Sequence, residues 1–173
     1  MPQRTSVYAL ALGSNRALSA VLTPHRLIDA MALAIAGLGR ILARSPTILT
    51  PPLGPSARRF ANAALLLETP LAPDMLLARL QRVERDLGRR RHRRWGARSV
   101  DIDIILWSGG AWQSRSLTIP HPAFRQRDFV LRPLLGIAPG WRDPVTGRTI
   151  RQLYARLQKP RPQKPRPKPP ARG

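Results

Sequence analysis

The segment Val100-Asp101-Ile102-Asp103-Ile104-Ile105-Leu106 opens with strict alternation of apolar and acidic residues. At a strand's side-chain period of two, Asp101 and Asp103 share one face, and Val100, Ile102 and Ile104 share the other. Same-face neighbours sit roughly 7 Å apart at Cα, so both carboxylates can lean toward one or two hard divalent cations. Oxygen-only ligands of this kind suit magnesium. Taken alone, Asp-x-Asp reads sooner as the solvated face of a half-exposed strand. The preceding residues shift that balance, because Arg85, Arg89, Arg90, Arg91, Arg93, Arg94 and Arg98 crowd the approach to the acidic pair. Acids beside arginines are the pairing expected where metal ions and cations hold a polyphosphate between them.

The longer pattern Arg94-x-Gly96-Ala97-Arg98-x-x-Asp101-Ile102-Asp103-Ile104-Ile105 resembles the signature of the 6-hydroxymethyl-7,8-dihydropterin pyrophosphokinase family, enzymes of the folate pathway. The resemblance covers roughly Ser6 to Leu157, with the family's motifs in their expected order. It implies transfer of an intact pyrophosphoryl group from ATP to the hydroxymethyl oxygen of the dihydropterin, giving AMP and the pterin diphosphate. It also implies ATP as co-substrate, two magnesium ions on Asp101 and Asp103, and a catalytic set of Arg89, Arg98, Asp101 and Asp103. Which carboxylate takes the hydroxyl proton stays open, with Asp103 the first candidate.

Three further stretches fit the same pattern. Thr50-Pro51-Pro52-Leu53-Gly54-Pro55, followed by Phe60 and Asn62, is a proline-stiffened loop entering a strand, and it resembles the family's pterin-binding loop. Asn62 offers a donor and an acceptor together, matching the amide-like edge of a pterin, and Phe60 offers a flat stacking face. In Arg89 to Trp95, the arginines can reach phosphate oxygens while Trp95 covers the opening. In Leu117-Thr118-Ile119-Pro120-His121-Pro122, a histidine is held between two prolines, with Arg127 and Phe129 shortly after. The resemblance assigns Thr50, Leu53, Phe60, Asn62, Trp95 and Phe129 to the pterin. It assigns Gln81, Glu84, Arg91, Ile104, Thr118, His121 and Arg127 to ATP. Two departures stand out: Arg16-Ala17-Leu18, where many members carry a Leu-Gly-Asp-like turn, and Arg58, where a glutamine is common.

Composition bounds the rest. A chain of 173 residues, 43% hydrophobic, buries one core. It holds no cysteine, which excludes disulfides and thiolate metal sites and agrees with a cytoplasmic setting. No apolar run reaches membrane-spanning length and none reads as a signal peptide; a soluble monomer is expected. The formal charge is +21, of which six charges fall in the acid-free stretch 159–173, leaving 15 on the body. Six prolines there predict an extended, disordered tail, open to weak nucleic-acid contact. The expected division is therefore a catalytic domain over 1–158 and a tail over 159–173.

The elements that must position these residues follow from periodicity. Ser6 to Leu12 reads as a buried strand closed by a Gly13-Ser14-Asn15 turn. From Pro24, Leu27, Ile28, Met31, Ile35 and Leu38 form a helical stripe. Arg40 to Ile48, broken at Pro46, and Ala63 to Leu67 read as strands flanking a loop. From Pro73, Leu76, Leu77, Leu80, Val83 and Leu87 form a second helix ended by Gly88. Ser99 to Leu106 is the acidic strand, Ala111 to Ile119 a further strand, and Phe129 to Ile137 and Ile150 to Leu157 helices, the first interrupted near Pro133. The order strand, helix, strand, strand, helix, strand predicts an α+β chain with a ferredoxin-like split βαβ sheet and helices packed on one face. The same architecture carries RNA-binding modules, but those need an aromatic run where this chain has two acids. A two-metal nuclease would need more acids beside the pair than the nine in the chain readily supply.

Overall fold

The computed structural model describes residues 4–15, 17–51, 59–88 and 100–159. Strand β1 (Ser6–Ser14) leads into helix α1 (Pro24–Ala36), followed by β2 (Arg40–Arg44), β3 (Ile48–Thr50) and β4 (Phe60–Thr69). Helix α2 (Pro73–Asp86), β5 (Asp101–Trp107), β6 (Trp112–Gln113) and β7 (Thr118–Ile119) come next. A 3-10 turn (Phe124–Gln126) then precedes α3 (Asp128–Ile137) and α4 (Ile150–Leu157). The main sheet runs β2-β4-β1-β5 with β3 also on β4, and every pairing is antiparallel. Local signals start the helices. Pro24 follows the Thr23 cap, whose hydroxyl accepts the Arg26 N–H, and Thr149 and Gln152 form a reciprocal capping box at α4.

Alternation along the strands builds two cores. Tyr8, Leu10 and Leu12 of β1, Ala63, Leu65 and Leu67 of β4, and Ile102 and Ile104 of β5 bury against α1 and α2. Ala9, Ala64, Ile105 and Leu106 bury on the other face with Val130, Leu131 and Leu134 of α3 and Ile150 and Leu153 of α4. Helices thus cover both faces, which corrects the expectation of helices on one. The reason lies in the central strands, whose apolar residues are nearly continuous and leave neither face fit for water.

Four smaller expectations are revised. β1 continues through Gly13 and Ser14, because Gly13 pairs with Asn62 on one side and Asp101 on the other. The stretch broken at Pro46 is two strands on one partner. At the break the Ser45 N–H donates to the Ala64 carbonyl, and the Ser45 hydroxyl accepts the Ala64 N–H, so the ladder continues through a side chain. Residues 111–119 form a hairpin, β6 with β7, rather than one strand. Its Ser114 hydroxyl and Trp112 indole N–H donate to Asp74 at the start of α2, fixing the turn there. Pro133 lies inside an unbroken α3 and is buried, so packing in the second core offsets the lost backbone bond.

Gly39 precedes β2 where the backbone passes closest to β4. A Cβ there would lie 2.2 Å from the Glu68 carbonyl oxygen and 2.9 Å from Thr69 Cβ, and neither neighbour is the end of a flexible side chain. Gly39→Ala is therefore expected to destabilise by about 1–3 kcal/mol or more. Thermal denaturation reads this; an unchanged midpoint would show that β2 shifts freely on β4.

Candidate active site

Three strands deliver the site to one end of the sheet, on the face that α3 and α4 cover elsewhere. Asp101 and Asp103 alternate with Ile102 and Ile104, whose side chains belong to the first core, so both carboxylates fall on the second face, half-buried. On β4, Phe60 and Asn62 alternate with Ala61 and Ala63 in the same way. Thr50 of β3 pairs with Phe60, and its hydroxyl accepts a hydrogen bond from Asn62 Nδ2 at 2.9 Å. That bond fixes the plane of a buried amide able to present both a donor and an acceptor.

Between these strands β1 contributes small residues. Gly13 stands in register between Asn62 and Asp101, and Ala11 between Ala64 and Asp103. A Cβ on Gly13 would lie 3.6 Å from Asn62 Oδ1 and 3.9 Å from Asp101 Cβ. Amide and carboxylate therefore face each other across a floor with no side chain. In the sequence Gly13 looks like the start of a turn; within a strand, a glycine often marks a bulge, a bend or close approach by a ligand or another backbone.

A third wall follows the cis Ile119–Pro120 peptide. His121 N–H donates to the Ile105 carbonyl at 3.0 Å, and His121 Nδ1 accepts the Ala123 N–H at 3.2 Å. This leaves Nε2 as the protonated nitrogen of the neutral ring, 3.9 Å from Asp103 Oδ2. Arg127 Nη1 lies 3.7 Å from the same oxygen, and the Arg127 guanidinium sits 5.7 Å from the centre of the Phe129 ring. Burial pushes the His121 pKa below its ordinary 6.5, and Arg127 acts in the same direction against the pull of Asp103. At neutral pH the ring is accordingly an uncharged N–H donor beside a fixed cation, a pair suited to phosphate oxygens.

The expected nucleotide contacts divide into distinct settings. Glu84 is 3% exposed and accepts the Ile102 N–H at 2.8 Å. It therefore satisfies an outward-facing amide of the edge strand β5, between the two aspartates. Gln81, a turn earlier on α2, is exposed. Ile104 buries its side chain in the first core, leaving its backbone for contact. Thr118 on β7 donates its hydroxyl to Gln113 Oε1 at 3.0 Å. Leu53, Arg89, Arg91, Trp95 and Arg98 lie outside the described residues, as do Arg16, Arg58 and the segment from residue 160.

As a metal site the pair fits a hard cation in part. Two half-buried carboxylates supply oxygen donors only, the set that magnesium takes while keeping waters and phosphate oxygens in its other positions. Among the described residues no group of three or more histidine or acidic side chains is arranged to hold a metal ion, so the remaining ligands would come from water and substrate.

The family model described as 7,8-dihydro-6-hydroxymethylpterin-pyrophosphokinase matches residues 9–139. The chain is 40% identical over 149 residues to the 2-amino-4-hydroxy-6-hydroxymethyldihydropteridine pyrophosphokinase of Pseudomonas aeruginosa, covering 84% of this chain and 88% of that one. It is 42% identical over 104 residues to the Synechocystis protein of the same name, covering 60% of this chain and 53% of that protein, about half its length. Among solved structures, wild-type Plasmodium falciparum HPPK-DHPS with SDX-DHP is similar with a TM-score of 0.67 at 15% identity. That match covers 88% of this chain and 44% of the other, and at this identity it shows a shared fold.

Proposed function

Because the chain belongs to the 7,8-dihydro-6-hydroxymethylpterin-pyrophosphokinase family, a family of ATP-dependent diphosphokinases of folate biosynthesis, we propose that it forms 6-hydroxymethyl-7,8-dihydropterin diphosphate and AMP. The observation that carries this is the row Asn62, Gly13, Asp101 across three strands. It sets an amide suited to a pterin edge beside a carboxylate suited to a polyphosphate, with open floor between.

In this reading the pterin lies over Gly13. Its ring edge meets Asn62, which Thr50 orients, and its faces meet Phe60 and Phe129. ATP extends from Thr118 and the Ile104 backbone, with Gln81 and Glu84 nearby, toward His121 and Arg127. The His121 Nε2–H and the Arg127 guanidinium hold phosphate oxygens and fix the chain of phosphates against rotation. The hydroxymethyl oxygen attacks the β-phosphorus, the bond from that phosphorus to the α,β-bridging oxygen breaks, and AMP leaves with the electron pair. The hydroxyl proton passes to a carboxylate of the acidic pair, with Asp103 the first candidate. Magnesium, as two ions held by Asp101 and Asp103, would supply charge neutralisation on the phosphates. Arg89, Arg91, Arg98, Trp95 and Leu53 belong to the proposed site as further phosphate and pterin contacts.

The sheet order β2-β4-β1-β5 with crossovers through α1 and α2 supports the ferredoxin-like split βαβ frame for this site, with α3 and α4 as an added layer. The same reading places catalysis in residues 1–158 of a cytoplasmic monomer and leaves 159–173 for weak anionic contacts. Among the described residues no helix is long and apolar enough to cross a membrane.

The deciding experiment incubates the protein with ATP, magnesium and 6-hydroxymethyl-7,8-dihydropterin and separates the nucleotides. AMP formed only with the pterin present is expected. ADP as the product, or AMP formation indifferent to the pterin, would overturn the assignment.

A further inference from the structure

His121 and Arg127 meet the same oxygen of Asp103 from a segment that no main-sheet strand contains. Between them lies the 3-10 turn Phe124–Gln126. Backbone bonds within 121–127 close it into a compact unit: the Phe124 N–H donates to the His121 carbonyl and the Arg127 N–H to the Phe124 carbonyl. The orientation of that unit decides where both phosphate-directed groups point.

One side-chain pair outside the proposed contacts anchors it. Arg125 Nε lies 2.7 Å from Asp143 Oδ2 and Arg125 Nη2 lies 2.7 Å from Asp143 Oδ1, a two-pronged charged bond. The guanidinium also lies 4.8 Å from the centre of the fully buried Phe124 ring. Asp143 comes from the connection between α3 and α4 and has no exposed surface. Its carboxylate also accepts the Val145 N–H at 3.1 Å and the Thr146 hydroxyl at 2.5 Å. Burial alone would raise the Asp143 pKa; the hydrogen bonds from Arg125, Thr146 and Val145 outweigh it and hold the carboxyl below its ordinary value. The group is therefore an anion at neutral pH. A fully exposed pair of this type would restrain little, whereas here a partly buried guanidinium fork meets a fully buried carboxylate through two short bonds.

We propose that Arg125 and Asp143 are a positioning pair, setting the turn 124–126 so that His121 and Arg127 together engage the terminal phosphates of ATP. This rests on the pyrophosphokinase reading and adds to it a cause for the approach of those two groups to Asp103. Neither residue of the pair is expected to touch substrate.

The test uses the full chain carrying Arg125→Lys, which keeps the charge and loses the fork, and separately Asp143→Asn, which keeps the shape and loses the charge. Circular dichroism and thermal melting establish that each variant is folded at the assay temperature. Direct binding of ATP and of AMP, and the KM for ATP and for the pterin, are then compared with the unaltered protein. ATP affinity is expected to fall between about tenfold and about a hundredfold, the scale of losing one hydrogen bond to a charged group, while AMP affinity and the pterin KM stay unchanged. Equal losses for ATP and AMP in a folded variant would show a general structural role and overturn the proposal, as would unchanged ATP affinity. If Asp143→Asn does not fold, Arg125→Lys decides the matter. If the unaltered protein forms no pterin-dependent AMP, the reaction assignment fails by itself, and the ATP-against-AMP comparison still decides the role of the pair.

Discussion

Asp103→Asn is expected to lower kcat/KM for pterin-dependent AMP formation by about a hundredfold to about a thousandfold, the scale seen when one preorganised group at a developing charge is removed, while leaving the protein folded. The two halves of this expectation come from different features. Asp103 is 34% exposed at its side chain, and its contacts to His121 and Arg127, at 3.9 and 3.7 Å, are loose. Half-exposed pairs at such separations contribute about 0–1 kcal/mol, so the strand should survive their loss. β5 is held instead by its pairing to β1, by Glu84 on the Ile102 N–H, and by Ile102 and Ile104 in the first core. Asp101→Asn should behave alike. Turnover is measured together with the melting midpoint. A variant that unfolds would support the bland reading of Asp-x-Asp as part of the scaffold; one that folds and turns over normally would remove the acidic pair from the mechanism.

The parts of this site legible in the sequence are those fixed by local rules. The acidic alternation declares its own face because period two admits one arrangement once Ile102 and Ile104 are buried. Pro24 and Pro73 begin their helices as expected at first-turn positions. What the sequence hid depends on contacts between distant residues. Arg125 and Asp143 are 18 positions apart, neither occupies a position that the sequence motifs fix, and their pairing emerges once α3 and α4 pack on the second sheet face. That second layer was itself foreshadowed by the unbroken apolar run in β1, which a reading of helix order alone does not use. Gly13 was hidden for another reason: in Gly-Ser-Asn, glycine followed by two turn-prone residues looks like the end of a strand, and its pairing with Asn62 and Asp101 is what reveals it as floor.

Gly13→Val separates what the sheet requires of this position from what the site requires. A Cβ at Gly13 would make contacts of 3.6 and 3.9 Å, ordinary van der Waals distances, and valine suits a strand better than glycine does. Stability should therefore hold or rise slightly. The added methyl groups would stand above the floor between Asn62 and Asp101, where the pterin is proposed to lie. Forcing extra carbons into a filled site costs about 1–3 kcal/mol, equivalent to a rise of about fivefold to over a hundredfold in the KM for the pterin. ATP binding, which depends on groups across β5, should change little. Steady-state kinetics in each substrate, with a melting curve for the variant, reads all three quantities. A folded variant with an unchanged pterin KM would show that the substrate does not approach β1. The reason for a bare glycine between the amide and the acid would then have to be sought in the sheet itself, where its contacts give none.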